Sequence, residues 1–268
     1  MNKKMIPLIL ASVLCSMVHV QAQSVDRSLL SSGLYFLDIP YVAHTLEVNG
    51  NNEQLVINTD QMDCTTFVEY SIAMSLAKRA EDTGVDERDF FNKVQQLRYR
   101  NGKIDGYTSR LHYVTDWINN AIEHGYLEDV TAEHAPYTQV VNLSYMTAHP
   151  DQYPQLADSP DNVAKMKQIE QSLSGKSYHF LPKAEVSDFG LPWIKEGDII
   201  IITTDIPGLD ATHMGIADYV KSKLSLLHAS SREKKVALSG VTLAELLKEN
   251  RRSTGIRVLR IKAGNAVE

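Results

Sequence analysis

The chain changes its hydrophobic pattern near Tyr178, about two-thirds of the way along its 268 residues. Before this point, apolar residues recur at helical spacing, over residues 24–37, 64–79, 86–98, 109–124 and onward from Asp161. After it come runs typical of buried strands, at residues 199–204, 213–220, 224–229 and 255–261. Thr242 and Glu245 form a capping box for one short helix among these strands. Helices followed by antiparallel strands with short connections predict an α+β fold around one core.

Residues 1–22 have the layout of a secretory signal peptide. A short basic head is followed by an apolar run from Met5 to Val18, and small residues lead up to Ala22. The apolar run is too short to span a bilayer. A lipoprotein would need a small residue before Cys15, but Leu14 stands there. We therefore predict an exported protein, periplasmic or secreted, that is not inserted in a membrane after the signal is removed.

The rest of the chain is large enough to bury the core of one domain. We predict a single catalytic domain over residues 23–268, with a helical insertion around residues 85–175. The 27 basic and 33 acidic residues give a formal charge of −6, and loss of Lys3 and Lys4 takes it to about −8. Because nucleic-acid binders need a basic excess, we predict no nucleic-acid partner.

Cys64 is the one cysteine left after the signal peptide, which contains Cys15, is removed. An exported chain with one cysteine cannot close an internal disulfide. The ordinary interpretation is a buried cysteine that packs as a small hydrophobe. However, Asp63 is a suitable N-cap, and the stretch after it predicts a mostly buried helix with Cys64 in its first turn. Free N–H groups and the helix dipole there are expected to lower the thiol pKa and to hold an oxyanion.

A thiol nucleophile also needs a base, and the base needs a group that orients it. His213 opens one predicted strand and His228 closes the next strand of the same hairpin. If the two side chains share a face, they are cross-strand neighbours. His213 would then take the proton of Cys64, and His228 would fix the tautomer of His213. Taken singly, each histidine is more often structural than catalytic.

These motifs, in this order, resemble the NlpC-type papain-like cysteine peptidases and amidases. The resemblance rests on residues 39–42 (Ile-Pro-Tyr-Val), 63–68 (Asp-Cys-Thr-Thr-Phe-Val), 197–198 (Gly-Asp), 213–216 (His-Met-Gly-Ile) and 227–230 (Leu-His-Ala-Ser). It implies a papain-like α+β fold, with the nucleophile at a helix N-terminus and a C-terminal antiparallel sheet. It also implies Cys64 as nucleophile, His213 as base and His228 as third member, with no cofactor and no metal.

Within that superfamily, the chain looks most like the N-acetylmuramoyl-L-alanine amidase-like branch. This closer likeness rests on residues 41–47, 63–69, 98–102, 107–113 and 116–117. It implies hydrolysis of the amide between muramic acid and the L-Ala of the stem peptide. The partners would be muropeptides, with 1,6-anhydro turnover fragments as candidate substrates. The branch tends to have glycine where this chain has Asp38 and His44, beside the expected cleft.

Residues 98–117 and Tyr41 supply candidate substrate contacts. The guanidinium groups of Arg100 and Arg110 suit the carboxylates of a stem peptide. Tyr107 offers a flat face to a sugar ring, and His112 is polar enough to line a groove. We predict that the hydroxyl of Tyr41 joins the oxyanion site. The simpler interpretation is that the aromatic side chains form core and that the arginines are solvated.

Three other functions stay open on sequence grounds. A γ-D-glutamyl-diamino acid endopeptidase would use the same thiol and histidines. A zinc amidase is disfavoured, because the chain has neither a His-Glu-x-x-His nor a Cys-x-x-Cys motif. The third is a non-enzymatic exported protein that binds muropeptides and whose thiol is incidental.

Overall fold

A computed structural model of the chain describes residues 28–47, 52–78 and 84–262. The predicted signal peptide lies outside these residues. The α-helices are α1 (Leu29–Leu34), α2 (Cys64–Leu76), α3 (Glu87–Arg98), α4 (Val114–Glu123), α5 (Thr131–His134), α6 (Tyr145–Ala148), α7 (Pro154–Ala157), α8 (Pro160–Leu173) and α9 (Leu243–Glu249). The strands are β1 (Leu127–Asp129), β2 (Thr138–Val141), β3 (Lys176–His179), β4 (Leu181–Pro182), β5 (Ile199–Thr204), β6 (Ala211–Val220), β7 (Lys223–Ser230), β8 (Lys235–Leu238) and β9 (Ser253–Ile261).

The main sheet has seven antiparallel strands in the order β1-β9-β5-β6-β7-β8, and β4 pairs separately with β9. Strands β2 and β3 form a separate two-stranded antiparallel sheet. Every residue of the central strand β5 is buried, as its β-branched sequence predicts. The predicted α+β fold with a C-terminal antiparallel sheet is therefore confirmed.

Helices cover both faces of the sheet. On one face, Met214, Ile216 and Leu227 pack against residues of α2 such as Phe67 and Val68. On the other face, the alternate residues of the same strands pack against α9. Since neighbouring side chains on a strand point to opposite faces, this alternation tells which face each residue of β6 and β7 occupies.

Helices α3 to α8 and strands β1 to β4 lie in the chain between α2 and β5. Of these, β2, β3, α6, α7 and α8 form a third core that includes Tyr113, Met146, Leu156 and Met166, whereas α3 and α4 pack in the same core as α2. None of the helices in the described ranges has the length and apolarity needed to cross a bilayer.

Two predicted helices are shorter than their sequence pattern. The first is α1, which spans Leu29–Leu34 among the described residues rather than 24–37. The helix predicted over 109–124 begins only at Val114. The preceding residues leave the helical path because the Leu111 N–H donates to the Arg98 carbonyl, 2.9 Å away, and because Tyr99 and Arg110 form an antiparallel bridge. A tertiary pairing thus overrides local helical periodicity.

Candidate active site

Cys64 is the first residue of α2, and Asp63 caps that helix. The Asp63 carboxylate accepts a hydrogen bond of 2.8 Å from the Thr66 N–H, and the Thr66 hydroxyl accepts one of 2.9 Å from the Asp63 N–H. This reciprocal capping box satisfies the Thr66 N–H. It leaves the first N–H groups of the helix directed outward around Cys64.

Cys64 is half-buried and packs against the core beneath α2. The nearby Met214 N–H, Thr65 hydroxyl and Cys64 N–H favour the thiolate and so act to lower the pKa of the thiol. Burial and the neighbouring Asp63 carboxylate nevertheless raise the pKa of the thiol to about 12. The expectation of a lowered thiol pKa is therefore wrong in direction, because desolvation outweighs the three donors.

Strands β6 and β7 separate where the Cys64 sulfur approaches the sheet. The ladder between β6 and β7 ends at the pair Ile216 and Leu227, although β6 begins at Ala211 and β7 continues to Ser230. Beyond that pair, the Met214 N–H lies near the Cys64 sulfur and acts to lower the pKa of the thiol. The sulfur therefore lies beside the peptide bond that joins His213 to Met214.

His213 and His228 occupy the same face of the sheet, which the sequence leaves open. Gly215 faces His228 across the strands, since a Cβ at Gly215 would lie 3.0 Å from the His228 Cβ. His213 is two residues from Gly215 and hence on the same face. The His213 Nε2 and the His228 Nδ1 are 2.6 Å apart, and their rings meet edge to face.

Both imidazoles are held neutral. Burial, and then the proximity of His228, lowers the pKa of His213 to about 3. Burial lowers the pKa of His228 to about 4. The resting site therefore contains a protonated thiol and two uncharged rings at neutral pH, rather than a thiolate–imidazolium pair.

Tyr41 lies next to the thiol. It forms a parallel bridge with Met62, two residues before Cys64, and its N–H donates to the Lys234 carbonyl at 2.9 Å. Burial raises the pKa of the Tyr41 hydroxyl, as do the nearby Cys64 and Asp63. The structure thus brings Tyr41 and Cys64 together.

Arg110 is buried and already paired. Its guanidinium donates to both carboxylate oxygens of Glu53, at 2.9 and 2.7 Å, and also to Glu47. Although burial lowers it, these two carboxylates raise the pKa of Arg110. A stem-peptide carboxylate would have to compete with both of them.

Tyr107 and His112 lie against Arg110. The guanidinium lies 5.3 Å from the centre of the Tyr107 ring, and the His112 ring is 4.3 Å from the same ring, centre to centre. Burial, and then the Arg110 charge, lowers the pKa of His112 to about 3, and its Nε2 is 2.9 Å from the Tyr107 carbonyl oxygen. Arg100 forms a bidentate pair with Asp116, at 2.8 and 2.7 Å. Each of these four side chains therefore has a partner within the protein.

Asp38 and His44 have left-handed backbone conformations, with φ of 66° and 62°. Residues other than glycine seldom adopt this region. This conformation accounts for glycine being expected at both positions. Asp38 is also paired with Lys235 at 2.6 Å.

Sequence reasoning missed Glu47 and Glu53 as partners of Arg110, from which they are 63 and 57 residues distant. It also missed a cavity of about 600 Å³ on the α9 face of the sheet. Its lining includes His213, His228 and Gly240, and Cys64 is not among the lining residues. Within the described ranges, no three His, Cys, Asp or Glu side chains are gathered so that they could hold a metal ion.

Residues 31–256 match a family model described as N-acetylmuramoyl-L-alanine amidase-like. The fold is similar to that of an N-acetylmuramoyl-L-alanine amidase from Bacteroides uniformis, with 58% identity, a TM-score of 0.87, and coverage of 88% of this chain and 100% of that chain. It is also similar to a Bacteroides fragilis structure provisionally named a xylanase, with 56% identity and a TM-score of 0.84. That likeness covers 87% of this chain and 100% of that chain. A Legionella pneumophila protein with 21% identity and a TM-score of 0.66 over 89% of each chain shares the fold. No curated protein matches at a significant level.

Proposed function

Because the chain belongs to the N-acetylmuramoyl-L-alanine amidase-like family, we propose that it is a cysteine-dependent cell-wall amidase. Its substrate is the amide between N-acetylmuramic acid, including the 1,6-anhydro form, and the L-Ala of a stem peptide. One observation carries the proposal. Cys64 begins α2 with the Met214 backbone near its sulfur, and the adjacent His213 is hydrogen-bonded to His228 at 2.6 Å.

The hydrogen bond between His213 and His228 supports one assignment of the protons in this mechanism. His213 Nε2 is occupied by His228, which leaves His213 Nδ1 to accept the thiol proton. That role requires Nε2 to carry the hydrogen and to donate it to His228 Nδ1. Since the resting thiol is protonated, its proton passes to His213 as the sulfur attacks the amide carbonyl.

The remaining steps follow from that transfer. The sulfur–carbon bond forms, the carbonyl oxygen becomes an oxyanion, and the Cys64 N–H and the Tyr41 hydroxyl donate to it. His213 then gives its proton to the L-Ala nitrogen as the carbon–nitrogen bond breaks. A water molecule, deprotonated by His213, hydrolyses the muramoyl thioester and restores the thiol.

Export fits this substrate, since peptidoglycan lies outside the cytoplasmic membrane. The signal-peptide pattern of residues 1–22 supports a location in the periplasm or outside the cell. A xylanase activity has less support, because glycosidases generally rely on a pair of carboxyl groups. The polar groups that converge here are a thiol, two imidazoles and a phenol.

Digestion of defined muropeptides, with products weighed by mass spectrometry, tests the proposal. We expect the wild type to release a free disaccharide and an intact peptide that begins with L-Ala, and Cys64→Ala to release neither. A disaccharide that retains L-Ala-D-Glu would instead identify a γ-D-glutamyl-diamino acid endopeptidase. Binding without turnover by the wild type would identify a muropeptide-binding protein. Asp205→Asn, at an exposed ion pair, is a control that should keep full turnover.

A further inference from the structure

Strand β6 contains a β-bulge directly before His213. His213 lies opposite Ile202 of the neighbouring strand β5. Ala211, two residues earlier in β6, lies opposite Thr203, which is the very next residue of β5. Thr212 is therefore the extra residue of the bulge. Because a bulge bends its strand and re-aims the side chains beside it, this one sets the direction of the His213 side chain.

The two faces of the sheet show this effect. In a regular strand, Ala211 and His213 would point to the same face, because they are two residues apart. Instead, Ala211 packs in the core that contains Met214 and α2, whereas His213 points to the opposite face, where His228 lies. A slip of one residue that removed the bulge would reverse one of these two directions.

Asp210 ties the start of β6 to helix α4 through one carboxylate. Its Oδ1 accepts a hydrogen bond of 2.9 Å from the Ala211 N–H, and its Oδ2 accepts one of 2.5 Å from the Thr115 N–H. Thr115 lies in the first turn of α4, whose N-cap residue, Tyr113, makes no side-chain capping hydrogen bond. Asp210 thus supplies, from 95 residues away, the cap that this helix lacks in its own sequence.

The Asp210 carboxylate is held by hydrogen bonds and not by an ion pair. It is buried, with the residue 6% exposed, and burial raises the pKa of its carboxyl group. None of the ion pairs in the described ranges includes it. A buried carboxylate is unfavourable unless N–H groups satisfy it, and the N-terminus of α4 adds partial positive charge. Its position is therefore closely tied to the two N–H groups.

The loop before Asp210 is held by the same part of the chain, between α2 and β5. The Gly208 carbonyl accepts from the Ser144 and Tyr145 N–H groups, at 3.2 and 3.1 Å. A Cβ at Gly208 would lie only 2.7 Å from the Tyr145 nitrogen, so the two backbones are in close contact. Leu209 packs against the third core. The start of β6 is thus fixed from outside the sheet.

Taking His213 as the base, which rests on the proposed function, we infer that Asp210 is its positioning residue. One carboxylate oxygen holds the first N–H of β6, and the other holds the N-terminus of α4. The bulge that follows is thereby kept in register, and the His213 ring stays on the face where it meets His228 at 2.6 Å. Asp210 acts on the reaction only through His213.

Two measurements on Asp210→Ala, which removes both hydrogen bonds, test this role. The first gives kcat and KM for a defined muropeptide. The second records, in protein labelled with ¹⁵N-histidine, the proton NMR signal of the ring N–H that His213 donates to His228, assigned by its absence from His228→Ala. The matched control is Asp86→Ala, because Asp86 caps α3 in the same way, accepting from the Asp89 N–H at 2.8 Å.

We expect Asp210→Ala to lose this ring signal and to lower kcat about 10- to 100-fold, with KM changed less than about threefold. The reason is that a misplacement of about 1 Å can lower a rate about 10²-fold. Asp86→Ala should keep the signal and a kcat within about twofold, although it also loses a helix cap. Asp210→Asn retains one acceptor oxygen and should give intermediate losses, and it serves if Asp210→Ala does not fold.

An unchanged ring signal in Asp210→Ala would overturn the inference, and so would an unchanged kcat in a protein that has lost the signal. Equal losses in Asp86→Ala would overturn it as well, because they would show general destabilisation. The two proposals fail separately, since the ring signal does not depend on turnover. A wild type that cleaves no muropeptide, but whose ring signal depends on Asp210, rejects the amidase function alone. Cleavage together with a ring signal independent of Asp210 rejects the positioning role alone.

Discussion

Two polar regions of this protein look equally functional in sequence but differ in how their hydrogen-bonding groups are used. At the split between β6 and β7, His213 Nδ1 and His228 Nε2 have no protein partner among the described residues. In the segment from Arg100 to His112, each charged or polar candidate is joined to an internal partner. Under the proposed function, unused hydrogen-bonding capacity, rather than polar composition, distinguishes the catalytic region from the other one.

The largest expected effect tests this contrast directly. His213→Ala removes the base and should lower kcat/KM for a muropeptide by about 10²–10⁴-fold, mainly through kcat. Arg100→Ala breaks an ion pair whose arginine side chain is 36% exposed and should change kcat/KM less than about threefold. Steady-state kinetics with one defined muropeptide measures both. Comparable losses in the two variants would break the distinction between the regions.

Arg110 provides the second test, on stability. Arg110→Ala leaves Glu53, 3% exposed, and Glu47, 22% exposed, without their cation. Loss of one partner from a buried ion pair should lower the free energy of unfolding by about 3–5 kcal/mol. Urea unfolding measures this change. The matched control is Arg252→Ala, whose pair with Asp205 is exposed and should contribute at most about 1 kcal/mol.

The outcome separates two roles for Arg110. A structural clamp gives a large loss of stability. A substrate contact gives a stable protein with a raised KM and an unchanged kcat. The second result would support Arg110 as a substrate contact. The two regions would then differ less in how their hydrogen-bonding groups are used.

The sequence predicts what depends on local pattern. The β-branched run of β5 predicts a sheet, and the spacing of His213 and His228 predicts that they lie on neighbouring strands, but the sequence leaves open whether the two imidazoles share a face. Partners distant in the chain are beyond such patterns, and Arg110 shows this, since Glu47 and Glu53 lie outside any helical or strand period. The prediction of a lowered thiol pKa fails for the same reason. Its position in the helix can be read from the sequence, but its burial depends on Met214 and Tyr41, brought in by the tertiary fold.

The thiol also provides a third test. Because the pKa of Cys64 is raised to about 12, its thiolate fraction in the free enzyme is small at pH 7 and grows as the pH rises. Alkylation by iodoacetamide should therefore be slower than that of free cysteine at pH 7, and its rate should still increase above pH 9. A plateau reached below pH 7 would show a preformed thiolate.

Asp63→Asn sharpens the same test. Asparagine is as good an N-cap as aspartate, so the helix start is kept while the charge that raises the thiol pKa is removed. Alkylation at pH 8 should become several-fold to about tenfold faster, as expected for a pKa lower by up to about one unit. An unchanged rate would leave burial as the sole cause of the shift.

The smallest effect concerns the loop that connects the two regions, since it follows Tyr41 and carries Glu47 to Arg110. His44 is exposed there at a φ of 62°. A left-handed residue other than glycine costs about 1–2 kcal/mol, which a glycine would avoid. Part of this gain in stability is lost because glycine has more conformational freedom in the unfolded chain. His44→Gly should therefore raise the free energy of unfolding by about 0.5–1 kcal/mol. Gly125→Ala is the mirror control, because Gly125 has a φ of 74° with nothing within 4 Å of an added Cβ, and it should lose a similar amount. Urea unfolding compares the two, and kcat/KM should stay within about twofold of the wild type if this loop only positions Glu47 and Tyr41. A destabilised His44→Gly would mean that the imidazole itself stabilises the loop, and the loop would then belong with the region of paired side chains.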